Sequence, residues 1–264
     1  MSQILLGCDP EVFVKQNGLF KSAFGLIKGD KKNPQKVPRG AVQVDGMALE
    51  FNIDPAASES EFCINVQEVL GHMRKMVPDY EVVATPVAHF DLAYMKQQPH
   101  EALELGCDPD FNAWTGRAND RPDGNRPMRT AAGHVHIGWD QDQSIRDPQH
   151  KERCRMVAKN LDFALGLPSL EYDNDVERRQ MYGKAGAIRF KSYGVEYRTL
   201  SNKWLNSEAL IKWVYRATIR GVEDAMNGTL YEDKYGDIQN IINNSDVKAA
   251  RKIIKAEKLE VCLG

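Results

Sequence analysis

Short apolar runs of period two fill the first part of the chain, and segments of helical period dominate the last. Residues 3–14 and 19–25 read as two strands around Gln16-Asn17-Gly18, an Asn-Gly hairpin signal. The stretch 28–40, rich in Lys, Pro and Gly, predicts a loop, after which residues 41–53 return to strand. From Ser60 the spacing of Phe62, Val66, Val69, Leu70, Met73 and Val77 puts apolar side chains on one helical face, and Pro78 ends that helix. Residues 82–90 are again strand-like, whereas residues 108–129 are dense in Pro, Gly, Asn, Asp and Arg and predict a long loop.

A strand containing Ala132 to Trp139 follows, then a helix over 148–165 with Val157, Leu161 and Leu165 on one face. Residues 186–191 and 194–200 form a hairpin pattern through Ser192-Tyr193-Gly194. Ser207 is placed to cap a helix to Met226, and Ser245 a last helix to Glu257. Strands before residue 200, helices after it and little βαβ alternation predict an α+β fold around an antiparallel sheet. No internal boundary stands out, so residues 1–264 are read as one domain whose helical part begins near residue 207.

Composition narrows the function classes. Lys plus Arg number 35 against 37 Asp plus Glu, a net charge of -2, which lacks the basic excess of a nucleic-acid binder. The 5 cysteines include no CxxC pair, so reduced thiols are expected rather than a zinc ribbon or a disulfide framework. Met1 to Leu6 lacks a basic stretch and no apolar run approaches 18 residues, which predicts neither a signal peptide nor a membrane span. A cytoplasmic protein acting on small molecules or peptides is the expectation.

Four of the predicted strands carry a polar pair at alternate positions: Asp9 and Glu11, Glu50 and Asn52, His134 and His136, Glu196 and Arg198. Solvated strand faces are filled mainly by Lys, Thr, Ser and Gln; these pairs are rich in carboxylate, imidazole and guanidinium. If the strands share a sheet, the acids meet on one surface, where they repel one another unless a cation sits among them. A carboxylate-rich set suits Mg²⁺ or Mn²⁺ better than zinc, and Mg²⁺ commonly bridges to nucleotide phosphates, a role that employs Arg198 as well. Gly7, Gly46, Gly133 and Gly194 lie near the pairs and serve either close approach of a nucleotide or ordinary turns.

The ordered motifs GCDPEVF, DGMALEFN, AGHVHIGW and RFKSYGVEYRTLSN, spread over about residues 3–206, resemble those of the phage-type COOH·NH2 ligase type 2 group. That group shares the catalytic fold of glutamine synthetase and glutamate–cysteine ligase. The resemblance implies a curved antiparallel sheet with helices on its convex face and divalent ions on its concave face, between ATP and a substrate carboxylate. It implies Glu11, Glu50, His134 and Glu196 as metal ligands, joined by Asp9, which stands where relatives such as glutamine synthetase have the longer Glu. His136 would lie nearer the nucleotide or substrate, and Arg198 would hold a phosphoryl group, so that Glu50, His136 and Arg198 are the residues closest to the chemistry. The implied reaction joins a small-molecule or peptide carboxylate to an amine through an acyl phosphate, with ATP and Mg²⁺ or Mn²⁺.

Arg179, Arg189 and Lys191 are further candidates for phosphate contacts, each open to an ordinary ion-pairing role. Asp108, Asp110, Asn112 and Trp114 either shape the substrate pocket or make Asx-type turns with an aromatic anchor. The echo of LGCDPE at 6–11 in LGCDPD at 105–110 is too short for a structural repeat. Two rival readings are a metal-dependent hydrolase built on His134 and His136 and a non-catalytic binding protein on the same fold. The hydrolase would want a third strong nitrogen or sulfur ligand, where the chain offers surplus carboxylates and an arginine.

Overall fold

A proline at position 10 decides how the strands are divided. In the computed structural model, which describes residues 3–103, 110–120, 126–140 and 142–263, β1 (Leu5–Cys8) ends at Asp9-Pro10 and the chain resumes as β2 (Glu11–Gln16). Pro10 has no N–H to donate to a ladder, so β1 and β2 run in different sheets. Asn17 and Gly18 both take positive φ, 53° and 77°, and turn β2 into β3 (Leu19–Lys21) as the Asn-Gly signal predicts. The strands β4 (Gln35–Val37), β5 (Gly40–Asp45) and β6 (Ala48–Ile53) follow, all antiparallel to their neighbours. β4 falls inside the stretch predicted as loop: as the edge strand beyond β5 it tolerates the Lys and Pro that disguised it.

β7 (Glu81–Val83) pairs with β2, and β8 (Val87–His89), β9 (Phe111–Asn112) and β10 (Met128–Thr130) come next, with β8 and β10 paired to each other. β11 (Val135–Gly138), β12 (Ala187–Lys191) and β13 (Gly194–Tyr197) complete a five-stranded sheet of order β1-β11-β13-β12-β9. The other large sheet has the order β3-β2-β6-β5-β4. Asp9-Pro10 joins the two: Glu11 N donates to Ala132 O at 2.9 Å, Leu6 N to Ala56 O at 2.9 Å, and Phe51 N to Pro10 O at 3.2 Å. The four polar pairs therefore lie on two adjoining antiparallel sheets rather than on one ladder.

Three long helices cover the apolar side. Val135 and Ile137 of β11, Val195 and Tyr197 of β13 and Ile188 of β12 are wholly buried and share one core with the Pro148–Leu161 and Glu208–Met226 helices. Leu49 and Phe51 of β6 pack in the same core with Phe62 and Val66 of the Glu59–Met76 helix. Burying one such side chain contributes about 1.5–3 kcal/mol, which commits each strand to a single register. Ser58 and Ser207 cap the first and third of these helices, their hydroxyls accepting from Glu61 N and Leu210 N at 3.2 Å. The last helix, Val247–Glu257, is capped by Asp246 and not by Ser245, whose φ of 51° puts it in the turn before the cap. The short helices Leu92–Lys96, His100–Leu103 and Val176–Met181 lack the length to show a period in sequence. No helix among the described residues is long and apolar enough to cross a membrane, and the described cysteines Cys8, Cys63, Cys154 and Cys262 are free thiols.

The Pro148–Leu161 helix widens into a π-turn over Asp162–Gly166, which begins at the wholly buried Asp162. Its carboxylate accepts from Trp114 Nε1 and from Tyr197 OH, each at 2.7 Å, behind the five-stranded sheet. Phe163, Leu167 and Leu170, just beyond, anchor the C-terminal helices through Ile242, Ile253 and Ile254. Burial drives the Asp162 carboxyl up to about 6 from an ordinary 3.8 despite those donors, because little of its charge is solvated. The folded protein thus binds this proton more tightly than the unfolded chain, and stability falls as pH rises from 3.8 through about 6. Relative to Asp162→Asn, the wild-type chain should lose roughly 3 kcal/mol of unfolding free energy across that window, read by urea denaturation at a series of pH values. A pH-independent difference between the two proteins would refute the assignment.

Candidate active site

Strand register assembles the site. His136 of β11 lies opposite Gly7 of β1 on one side and Glu196 of β13 on the other, and Glu196 lies opposite Arg189 of β12. Alternation has already committed Val135, Ile137, Val195 and Tyr197 to the helices, so this row of polar residues occupies the opposite face. Asp9, just past β1, and His134, just before β11, close on the row from its end. Asp9 Oδ2 is 3.0 Å from His136 Nε2, and Asp9 Oδ1 is 3.2 Å from His134 Nδ1. His134 Nδ1 is also 3.5 Å from Glu196 Oε1.

Asp9, His136 and Glu196 each offer a ligand atom, all within 4.8 Å of one another. Asp9 Oδ1, His136 Nε2 and His134 Nε2 are buried without a hydrogen-bond partner among the described residues. The 3.0 Å approach of His136 Nε2 to Asp9 is therefore close without being aligned for a hydrogen bond, as expected of two donor atoms facing a common centre. Two carboxylates with one or two imidazoles fit a divalent ion such as Mn²⁺ or Mg²⁺, so the residues present suit a metal.

Charge is balanced tightly around this centre. Glu196 is 0% exposed, and Lys191 Nζ lies 2.8 Å and Arg189 Nη1 3.7 Å from its oxygens, with Arg198 in direct contact. Arg198 also pairs with Asp110, Nε lying 2.6 Å from Oδ1, and its guanidinium lies over the Tyr182 ring. Burial and the Arg198 charge push His134 down to about 4, which keeps it neutral at pH 7. For Asp9, burial works upward but His136 and His134 outweigh it and hold the carboxyl well below its ordinary range. Burial works downward on His136, yet Asp9 raises it. The His136 ring is fixed from behind by Tyr193 OH, 2.5 Å from Nδ1.

A second acid group sits on the neighbouring sheet. Glu11 and Glu50 face each other across β2 and β6, with Gln43 of β5 beyond, donating to Glu50 Oε2 at 2.9 Å. Like charges directly opposite one another are unfavourable, and burial with Asp45 raises Glu11 to about 7. Burial and the charge of Asp9 likewise raise Glu50 well above the ordinary range. Beside both acid groups opens a cavity of about 570 Å³ that touches Asp9, Glu50, His136 and Tyr193.

The structure thus gathers Asp9, His134, His136, Glu196, Arg189, Lys191 and Arg198 around one centre and sets Glu11 and Glu50 beside it as a pair. His136, implied by the resemblance to lie nearer the nucleotide or substrate, stands with Asp9 and Glu196 in the ligand group. Arg179 does not join: its guanidinium is buried and donates to Asp173 O, Asp175 O and Ser245 Oγ at 2.9–3.0 Å, away from the Glu196 group. Of the residues in the predicted 108–129 loop, Asp108 lies outside the described residues. Asn112 makes the Asx-type turn, accepting from Trp114 N at 2.8 Å, while Trp114 serves Asp162, so neither lines the cavity. Gly133 answers to packing, since a Cβ there would meet Ser201 O at 2.3 Å. Tyr193 was legible only as a turn residue, and the role of Asp110 as the Arg198 partner had no signal at all, because each depends on a contact across the fold.

Comparison with known families supports the resemblance. The family described as Phage phiEco32-like COOH.NH2 ligase-type 2 matches residues 130–232, a span that includes His134, His136, Glu196 and Arg198. No curated protein matches the chain.

Titration of the chelator-treated protein with Mn²⁺, followed by the loss of the free-ion electron paramagnetic resonance signal, should show saturable binding. Asp9→Asn and His136→Ala should each weaken it by at least roughly tenfold, as loss of a ligand does. Unchanged affinity in both variants would remove these residues from a metal site.

Proposed function

We propose that the protein is an ATP-dependent carboxylate–amine ligase with a glutamine synthetase-type catalytic domain, acting in the cytoplasm. The observation that carries this reading is the juxtaposition, on one sheet face, of the Asp9–His136–Glu196 group with three cations, Arg189, Lys191 and Arg198. A hydrolase needs a metal and a water; three cations crowded beside the ligands answer to a highly charged anion such as a nucleotide triphosphate.

A carboxylate resists attack by an amine until one of its oxygens becomes a leaving group. In this reading the substrate carboxylate oxygen attacks the γ-phosphorus of ATP, the bond to the β-phosphate oxygen breaks, and ADP leaves with that electron pair. The acyl phosphate is then attacked at carbon by the amine, the C–O bond to phosphate breaks, and amide, phosphate and a proton result. A bound Mg²⁺ or Mn²⁺, held by Asp9, His136 and Glu196 with Glu11, Glu50 and His134 beside them, would neutralise the phosphates and the crowded acids.

The chain's own residues do the aligning. Before substrate arrives, Lys191 and Arg198 are spent on Glu196, which gives a buried anion its partners. An incoming phosphoryl group supplies a second anion to the same cations, so Arg189, Lys191 and Arg198 are in place as charge develops on the transferred group and need no reorganisation. Tyr193 locks the His136 ring, and Asp110 holds the far side of the Arg198 guanidinium, so that neither side chain swings during transfer. Glu50 lines the cavity through which the amine approaches.

Purified protein with ATP, Mg²⁺ and pooled carboxylates and amines should release ADP only when both substrates are present, with an amide product visible by mass spectrometry. Lys191→Met should lower that turnover roughly 10²-fold while leaving the circular dichroism spectrum unchanged. Cleavage of an amide without ATP would establish the hydrolase instead.

A further inference from the structure

The two acid groups of the site are satisfied in different ways. In the Asp9–His136–Glu196 group, Asp9 Oδ1 and His136 Nε2 are buried without a hydrogen-bond partner among the described residues. No oxygen of Glu11, Glu50 or Asp45 is left buried and unpartnered there. Glu11 Oε2 accepts from Ala132 N and Glu50 Oε2 from Gln43 Nε2, each at 2.9 Å. Asp45 belongs with this second group: it lies two residues past Gln43 on β5, so both point to one face, and its charge acts on Glu11 and Glu50.

A cation reaches the second group from the segment between β3 and β4. Lys31 sets Nζ 2.8 Å from Asp45 Oδ1. The backbone on either side of Lys31 is held in place. Val44 N donates to Gly29 O at 2.9 Å, and Gly29 lies so close to β5 that a Cβ there would meet Val42 O at 2.2 Å. Asp30 Oδ1 accepts from Lys32 N and Asn33 N, both at 2.8 Å, closing a turn around Lys31. Burial works against the Lys31 charge, yet Asp45, Glu50 and Glu11 outweigh it and raise the ammonium above its ordinary range.

We infer that Lys31 is the resident cation of the Glu11–Glu50–Asp45 group, which therefore holds no divalent ion of its own. This deepens the ligase reading and rests on it for the ion at Asp9, His136 and Glu196; it departs from the ligand roles that the resemblance implies for Glu11 and Glu50. Three neighbouring carboxylates require positive charge among them. A hard divalent ion meets that need when several oxygens are free to turn to it, whereas here Glu11 and Glu50 each give an oxygen to an N–H donor and Asp45 gives one to the ammonium. A lysine supplies a compact point charge on a flexible stem, and no chelator removes it. The acids stay compensated whether or not the neighbouring ion is bound.

Counting bound ions tests this without any turnover. The full chain, treated with chelator, is titrated with Mn²⁺ at mildly alkaline pH, which limits competition from protons, and the free ion is read by electron paramagnetic resonance. Lys31→Met should bind one ion more than the wild-type chain, and Lys31→Arg, which keeps the charge, should return the count to that of the wild type. Glu50→Gln combined with Lys31→Met should weaken the added ion by about tenfold or more and leave the first within a few fold. Equal counts in the wild type and Lys31→Met, or a second ion in the wild type as tight as the first, would overturn the assignment. An ion gained in Lys31→Met where the wild type binds none would uphold it and count against the metal at Asp9, and with it the ligase reading.

Discussion

The burial of one carboxylate organises this protein. Glu196 is removed from water in the middle of a five-stranded sheet, where an isolated charge would cost several kcal/mol. It is tolerated because Lys191, Arg189 and Arg198, all from its own hairpin and the residues just beyond it, turn toward it. The cations are held in turn: Arg198 by Asp110 and the Tyr182 ring, Arg189 and Lys191 by the β12 ladder. Remove the acid and three positive groups are left facing one another. The site is thus preorganised for anions by the same interaction that makes it stable.

That arrangement is backed by a second buried acid. Tyr197 follows Glu196 in sequence, points to the opposite face and donates to Asp162 in the π-turn. Asp162 also holds Trp114, so the hairpin, the long helix behind it and the segment after β9 meet at one carboxylate. Beside it, the buried Arg178 donates to Ala131 O, Thr199 O and Leu200 O, tying the approach to β11 to the exit from β13. Both ends of the polar row are thereby fixed by buried polar contacts whose loss would leave groups unsatisfied in the core.

The division of charge across the face follows from the division into sheets. β12 and the residue just past β13 carry the cations; β2, β5 and β6 carry Glu11, Gln43 and Glu50; Asp9 stands between them where the chain passes directly from β1 to β2. The proposed reaction would use the two halves differently, the cations for the phosphates and the acids with the ligands at the seam for the metal.

Much of this was legible from period-two alternation, because a strand that buries Val135 and Ile137 or Val195 and Tyr197 has no choice but to turn His136 and Glu196 the other way. The same logic found the hairpin at Asn17-Gly18 and the cap at Ser207, where one residue's conformation or hydroxyl suffices. Side-chain type therefore determined the strands that carry the polar row and the faces they present. It could not determine partners. Whether Asp9 or Glu50 stands next to His136, whether Arg179 reaches a ligand or is spent on Asp173 and Asp175, and that Pro10 splits the polar pairs between two sheets depend on register and on contacts between residues far apart in the chain. Those were decided only when the apolar faces packed, because the free energy that selects a register resides in buried area shared between elements and in no single element's sequence.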